Sequence, residues 1–371
     1  MKHALLGASS SHRWLACTPS ARLEETLPEE KSNYAEEGTL AHSVSEYLLR
    51  EIMKEAAIMP MKTTPDMIIS VRPYVNYVES VMKKTKNPFI CLEKTVDYSA
   101  FVPEGSGTCD TIIISEGMLT VIDLKYGQGV EVSAYENSQL KLYALGAVLA
   151  YDCIFDIENV KMVICQPRLD STSEFEMTVK DLLAWGESIR EVARLAFAGE
   201  GEFVTGDHCR FCRAKGSCSA RAEANLEIVR NDFAPPVALM TPDEIESIAV
   251  RADDVIAWLK DVQDKALSLA LEGHEFSLLK LVEGRSNRKI TNEEGLASAI
   301  LSNPMYSEDQ VFVKKIKGIT ELEKLVGKKA FTKVSDGFID KPPGKPTLVS
   351  ITDPRDVLSG TNINKIFEME E

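Results

Sequence analysis

The sequence lacks any uninterrupted apolar run long enough to cross a bilayer, which takes about 20 residues, so no membrane partner is expected. Its N-terminal apolar stretch is too short for a signal peptide, and a cytoplasmic location follows as the expectation. Positive charge is scarce: 42 Lys and Arg face 57 Asp and Glu, a net charge of −15. That balance excludes wrapping a polyanion over a large surface. It leaves room for a local basic groove, because the distribution of charge matters more than its sum. There is no internal repeat and no low-complexity tract, so neither a repeat array nor a disordered linker is expected. The hydrophobic share of 44% and charged share of 27% are ordinary for a globular chain. The 371 residues suffice for about two domains. Eight cysteines in a reducing compartment are not a disulfide framework. Some should be ligands, and the rest small core residues.

The most informative stretch is 107–127. Two β-branched runs, 111–114 and 120–122, flank Glu116–Gly117 and read as a hairpin with a tight turn. A two-residue turn pairs Ser115 with Met118 and sets Asp110 opposite Asp123. Lys125, two residues further on, shares that face. Opposed carboxylates destabilise a sheet unless a cation lies between them. The pattern is therefore either a divalent-metal site with an ammonium beside it, or two solvated aspartates each meeting a lysine. The apolar neighbours Ile112, Ile114, Val121 and Ile122 weigh against full solvation.

Other elements follow from spacing. Ser9 to Ser11 are suited to cap a short helix ending before Pro19. Helices are expected over 37–56, 66–84, 133–150 and 178–199, and strands over 88–98 and 160–167. His42 and Glu46 share one face of the first long helix and read as an ordinary surface pair. Glu93 reads either as pointing towards the hairpin site or, more simply, as an exposed charge on its strand. Gln139 and Tyr143, four apart on a helix, read by themselves as a surface glutamine and a core tyrosine.

A second strong pattern is Cys209-x2-Cys212 with Cys218 six residues later. Arg210, Arg213 and Lys215 add positive charge that favours thiolate. Such a group holds zinc or an iron–sulfur cluster. The fourth ligand is Cys17, or His208 in a Cys3His zinc site. Cys91, Cys109, Cys153 and Cys165 sit in apolar contexts and read as packing residues. Beyond residue 230 the chain changes character. A helical segment over 241–273, capped by Thr241, precedes basic stretches. Of these, Arg285, Arg288 and Lys289 are the best placed for phosphate contacts, with Lys314, Lys315, Lys317, Lys328, Lys329, Lys341 and Lys345 further on.

Taken together, His42, Asp110, Asp123-x-Lys125 and Gln139-x3-Tyr143 resemble, in order and type, the RecB-like branch of the PD-(D/E)XK nucleases. Cys17 with Cys209, Cys212 and Cys218 resembles the iron–sulfur subset typified by AddB and the CRISPR-associated RecB-like exonucleases. That likeness covers roughly residues 9–225. Stretches further on, Gly-Arg-Ser-Asn-Arg and Gly-Lys-Pro-Thr-Leu, are similar to a phage and prophage family of unknown function. The chain departs twice from the nuclease pattern. Cys109 stands where a proline usually precedes the hairpin aspartate, and Asp123 replaces the commoner glutamate. Both variants occur in the family.

The resemblance implies an α/β fold with a PD-(D/E)XK restriction-endonuclease-like core, a mixed central sheet flanked by helices. It also implies an iron–sulfur-stapled periphery and a mostly helical C-terminal region. Residues 1–228 would form the core, and 229–371 a region for a DNA channel or partner docking. The implied activity is Mg2+- or Mn2+-dependent hydrolysis of DNA phosphodiesters, as an exonuclease in phage replication or recombination. The location would then be the host cytoplasm, with a phage recombinase or single-strand-binding protein as partner. Asp110, Asp123, the Leu124 carbonyl and His42 would hold the metal, the imidazole tilting preference towards Mn2+. Lys125 would position water and stabilise the transition state, while Gln139 and Tyr143 orient substrate or a ligand. A [4Fe–4S] cluster on the four cysteines would be structural. The competing expectation is a zinc- or iron–sulfur-stapled nucleic-acid-binding or scaffold protein without turnover.

Overall fold

A computed structural model of the chain describes residues 4–28, 33–232, 242–280, 282, 292–302 and single positions between 308 and 338. The chain separates into two compact units, Met1–Leu269 and Ala270–Glu371. In the second, the described helix of regular length is Glu293–Leu301. The first unit carries the sites described below.

Its N-terminal part is helical: a 3-10 turn at Ala8–Ser10, then α1 (Ser11–Trp14), α2 (Ser20–Glu25), α3 (Asn33–Ile52) and α4 (Pro65–Lys84). Next come β1 (Phe89–Asp97), β2 (Ser106–Ser115), β3 (Met118–Leu124), α5 (Ser138–Phe155), β4 (Asn159–Gln166), β5 (Ser171–Thr178) and α6 (Val179–Ala198). A 3-10 turn at Asp207–Phe211, α7 (Ser219–Asp232) and α8 (Pro242–Leu271) follow. The strands form one mixed sheet in the order β1-β2-β3-β4-β5. β3 and β4 are parallel and the other neighbours antiparallel. A parallel pair needs a long crossover connection, and α5 supplies it.

The hairpin has the expected register, from Ser115↔Met118 to Thr111↔Ile122. Its turn places Glu116 and Gly117 at φ 49° and 75°, both left-handed. This is the backbone that matches the twist of the flanking strands. The sheet buries both faces. Ile112, Ile114, Leu119, Val121, Met162 and Ile164 pack under α5 and α6. Ile113, Ile122, Leu124 and Val163 pack under α3 and α4 with Val71, Tyr74 and Val78. Central strands buried on two sides explain the nearly continuous apolar runs in the sequence.

Four local expectations give way. The Ser10 hydroxyl donates to the Gly7 carbonyl at 3.1 Å instead of capping a helix, and α1 is only four residues long. α5 begins at Ser138, not near 133, because Glu136 is left-handed at φ 53° and interrupts any helix there. Asn137 caps it, accepting from the Leu140 N–H at 3.2 Å. Strand β5, absent from the expected elements, is a half-exposed edge of mostly polar residues. Cys153 is exposed on α5, whereas Cys109 and Cys165 are buried in the core as expected. The proposed cap Thr241 lies outside the described residues.

Helix α5 approaches the sheet closely because position 146 is glycine. A Cβ there would stand 2.8 Å from Val96 Cβ and 3.2 Å from the Asp97 carbonyl. Overpacking of this kind costs roughly 1–3 kcal/mol. Gly146→Ala should therefore lower the urea midpoint by that amount without changing the slope, as measured by equilibrium unfolding.

Candidate active site

The β2–β3 ladder stops at Thr111↔Ile122, one position short of Asp110 and Asp123. β1 loses its pairing alongside: Leu92↔Thr111 and Lys94↔Cys109 are paired, but Glu93 between them is not. Glu93 adopts φ 47°. A non-glycine residue in that region costs on the order of 1 kcal/mol or more. The distortion turns its carboxylate away from the exposed position expected for it and towards α3. His42 Nδ1 on α3 lies 3.1 Å from Asp110 Oδ1 and 4.0 Å from Glu93 Oε1. Ligand atoms of His42, Glu93 and Asp110 all fall within 4.8 Å of one another. Leu124, Tyr74 and Glu46 line the same concavity. The Leu124 N–H donates to Asp110 Oδ2 at 2.6 Å, and Tyr74 shares a 2.8 Å hydrogen bond with Thr111 beneath. Glu46 is drawn off by Arg50, at 2.8 and 2.9 Å.

Asp123 is 2% exposed and faces α5. Its Oδ1 accepts from Gln139 Nε2 at 3.1 Å. Lys125 Nζ lies 3.0 Å from Oδ2. That approach lacks hydrogen-bond geometry, so Oδ2 is buried without a hydrogen-bonded partner. Lys125 donates instead to Gln139 Oε1 at 2.8 Å, and Gln139 Nε2 also donates to Tyr143 Oη at 3.1 Å. The glutamine is thus the hub of the group and not a surface residue. The chain's own amide and ammonium tie Asp123, Lys125, Gln139 and Tyr143 into one network.

The electrostatics match this crowding of acids. Burial works against the charged His42, but Asp110, Asp123 and Glu93 outweigh it and raise the imidazole to about 9. Burial and then the Asp110 charge lift Glu93 to about 7. Burial also raises Asp123, with Lys125 pulling the other way and Asp110 adding to the rise.

The four cysteines singled out by spacing, Cys17, Cys209, Cys212 and Cys218, line a single cavity with Arg13, Lys215 and Arg221. None is in a disulfide. His208 borders the same cavity, but its Nε2 is 2.9 Å from the Val204 carbonyl. The basic neighbours do not favour bare thiolate as expected. Burial raises Cys17, and it lifts Cys212 to about 11 against the pull of Arg13. The N-terminal helices hold this segment from a distance in sequence. Arg13 donates to Glu24 at 2.8 Å and to the Phe211 carbonyl at 3.0 Å. Glu24 also accepts from the Arg213 N–H at 2.8 Å, and Arg22 donates to the Phe197 carbonyl at 2.7 Å. On the far side, Asp261 of α8 pairs with Arg221 at 2.6 Å and Lys215 at 3.1 Å. Arg285, Arg288 and Lys289, like the later basic runs, fall outside the described residues.

A family described as "Protein of unknown function (DUF2800)" matches residues 3–356. The chain belongs to that family. A solved structure titled "Crystal structure of SSO0001" is similar over 57% of this chain and 96% of its own length. Its identity is 16% and its TM-score 0.26, too low to bear on the fold.

For this DUF2800 chain, sequence reasoning underrates Glu93 and misses Gln166. Glu93 enters the site only through its left-handed backbone, which no local pattern announces. Gln166, 2% exposed at the end of β4, donates to the Val130 carbonyl at 2.9 Å and accepts from the Val132 N–H at 2.7 Å. It fastens the loop joining Lys125 to Gln139. The alternation of its strand puts it at a buried edge, but gives no sign of that bond.

The Arg13–Glu24 pair is nearly buried, at 12% and 10% side-chain exposure. Removing one partner of such a pair leaves an uncompensated charge, at a cost of about 3 kcal/mol or more. Glu24→Ala should lower thermal stability accordingly and expose the 206–218 segment to protease, as followed by melting curves and limited proteolysis.

Proposed function

We propose that the chain is a divalent-metal-dependent deoxyribonuclease that hydrolyses DNA phosphodiesters, working as an exonuclease. The observation that carries this reading is the Asp123 carboxylate, buried with an unsatisfied oxygen and an ammonium at 3.0 Å, behind a cluster of His42, Glu93 and Asp110. A structural sheet has no use for two carboxylates converging on one imidazole with a third buried behind them. The donors fit a hard or borderline cation: carboxylate oxygens suit Mg2+ and Mn2+, and the imidazole favours Mn2+. His42, Glu93 and Asp110 would hold it, and the open oxygen of Asp123 is available to complete the set.

A bound divalent cation supplies Lewis-acid activation of water and neutralises charge on the scissile phosphate. The protein's own groups do the rest. Lys125 is held by Asp123 and Gln139, and its charge would meet the negative charge that grows on the phosphoryl oxygens. Gln139 holds Asp123 and Lys125 in one orientation with the two ends of one amide. Tyr143 takes the second proton of the Gln139 amide and so fixes which way it faces. With water as the nucleophile, Gln139 and Tyr143 have no covalent role in this reading.

The four cysteines support a [4Fe–4S] cluster in a structural role. Four thiols lining one cavity are the donor set that either zinc or a [4Fe–4S] cluster takes, and the resemblance of their spacing to the iron–sulfur nucleases favours the cluster. A bound metal centre would favour the thiolate and so oppose the upward push that burial gives the Cys212 thiol.

End-labelled linear DNA, incubated with anaerobically purified protein and Mn2+, should be degraded. EDTA or Asp123→Ala should abolish cleavage while DNA binding is retained. Intact single- and double-stranded DNA after treatment with brown, cluster-loaded wild type would sink the nuclease reading in favour of a binding or scaffold protein. Cys212→Ala should lose iron, melting temperature and cleavage together. A variant without iron but with full stability would refute the structural role of the cluster.

A further inference from the structure

The surface between Lys125 and the cysteine segment carries chemistry that the cleavage site does not use. It is built on three consecutive residues of α1. Ser11 Oγ lies 2.7 Å from the Oγ of Ser138, the neighbour of Gln139, so α1 is bonded to the helix that holds Lys125. His12 is exposed, and its ring meets Phe211 edge-on with centroids 6.1 Å apart. Arg13 bonds the Phe211 carbonyl at 3.0 Å. The backbone under Phe211 is thereby fixed, yet its ring is 57% exposed. The Arg210 guanidinium stands 6.0 Å from that ring and is exposed, with no ion pair among the described residues.

The charges acting on His12 are mostly positive in a chain whose net charge is −15, with Asp207 the acid on the same 3-10 turn as Arg210 and Phe211. Beyond the partial desolvation of His12, the charges of Arg13, His208 and Lys125 all lower its proton affinity, and Glu24 alone opposes them. An exposed flat ring on a rigid backbone calls for a flat apolar partner. An unpaired guanidinium beside it calls for an anion. A nucleotide offers both, a base face and a phosphate. Bases inside a duplex are covered by their neighbours, so only an unpaired strand or a frayed end can present that face.

We infer that this strip, from Phe211 and Arg210 across His12 to Lys125, binds single-stranded nucleic acid, with a base stacked on Phe211 and a phosphate on Arg210. The strip would deliver the strand end to the cleavage site, and that destination rests on the function proposed above.

The test is fluorescence anisotropy with labelled oligothymidylate and with a blunt duplex, in EDTA, using the anaerobically purified full chain. Phe211→Ala should bind the single strand roughly tenfold more weakly. Phe211→Tyr should restore it, and duplex affinity should not change. Arg210→Ala should weaken binding and reduce the salt dependence by about one ion. Iron content and melting temperature report whether the segment is still folded. If Phe211→Ala keeps its iron and binds the single strand as wild type does, the inference is overturned, as it is if duplex binding falls equally. If Phe211→Ala loses iron, Arg210→Ala decides: unchanged affinity and salt slope overturn the inference. A wild type that binds single strands through Phe211 but cuts none would remove the nuclease reading and leave this surface standing. A wild type that cuts, with an iron-loaded Phe211→Ala of unchanged KM on single strands, would do the reverse.

Discussion

A carboxylate buried against the middle strand of a sheet has to be met by charge or by hydrogen bonds, and Asp123 is met by both, incompletely. Its 2% exposure leaves water no part in solvating it. Lys125 and Gln139 supply what compensation there is, and both must be held in place to do so. Lys125 is held by the strand end, where its N–H reaches the Cys165 carbonyl at 2.9 Å. Gln139 is held by the cap on α5 and by the loop that Gln166 fastens. The parallel β3–β4 pairing, the crossover helix and the loop between them can each be understood as support for one awkward anion.

The second acid cluster is organised differently. Asp110 keeps one oxygen for a backbone amide and turns the other to His42, while Glu93 reaches the same imidazole from a backbone that disfavours it. Here backbone strain and a carboxylate lifted by burial, that of Glu93, fall on one residue.

Much of this was legible in the residues. The hairpin register could be read from Glu116–Gly117 between two β-branched runs, because a two-residue turn allows only one pairing. The cysteines could be grouped by spacing, and one cavity collects all four. What was not legible depends on conformation or burial. Glu136 ends any helix before Ser138 by a left-handed backbone, and Glu93 joins the site by another. β5 alternates too weakly in polarity to announce itself, as an edge strand with its apolar residues only half covered. The upward push of burial on the Cys212 thiol could not be inferred from basic residues nearby in sequence, because it depends on how the segment is covered.

The brace between α1, α2 and the cysteine segment has a consequence for how the chain is made. Synthesis runs from the N-terminus at about 5–20 residues per second. Arg13 and Glu24 emerge early, but their partners Phe211 and Arg213 follow nearly two hundred residues later. The sheet with Asp110, Asp123 and Lys125, and the Ser138 to which Ser11 is bonded, are therefore made well before those partners in the cysteine segment. Asp110, Asp123 and Lys125 thus exist on the nascent chain before the brace that ties α1 and α2 to the cysteine segment can close.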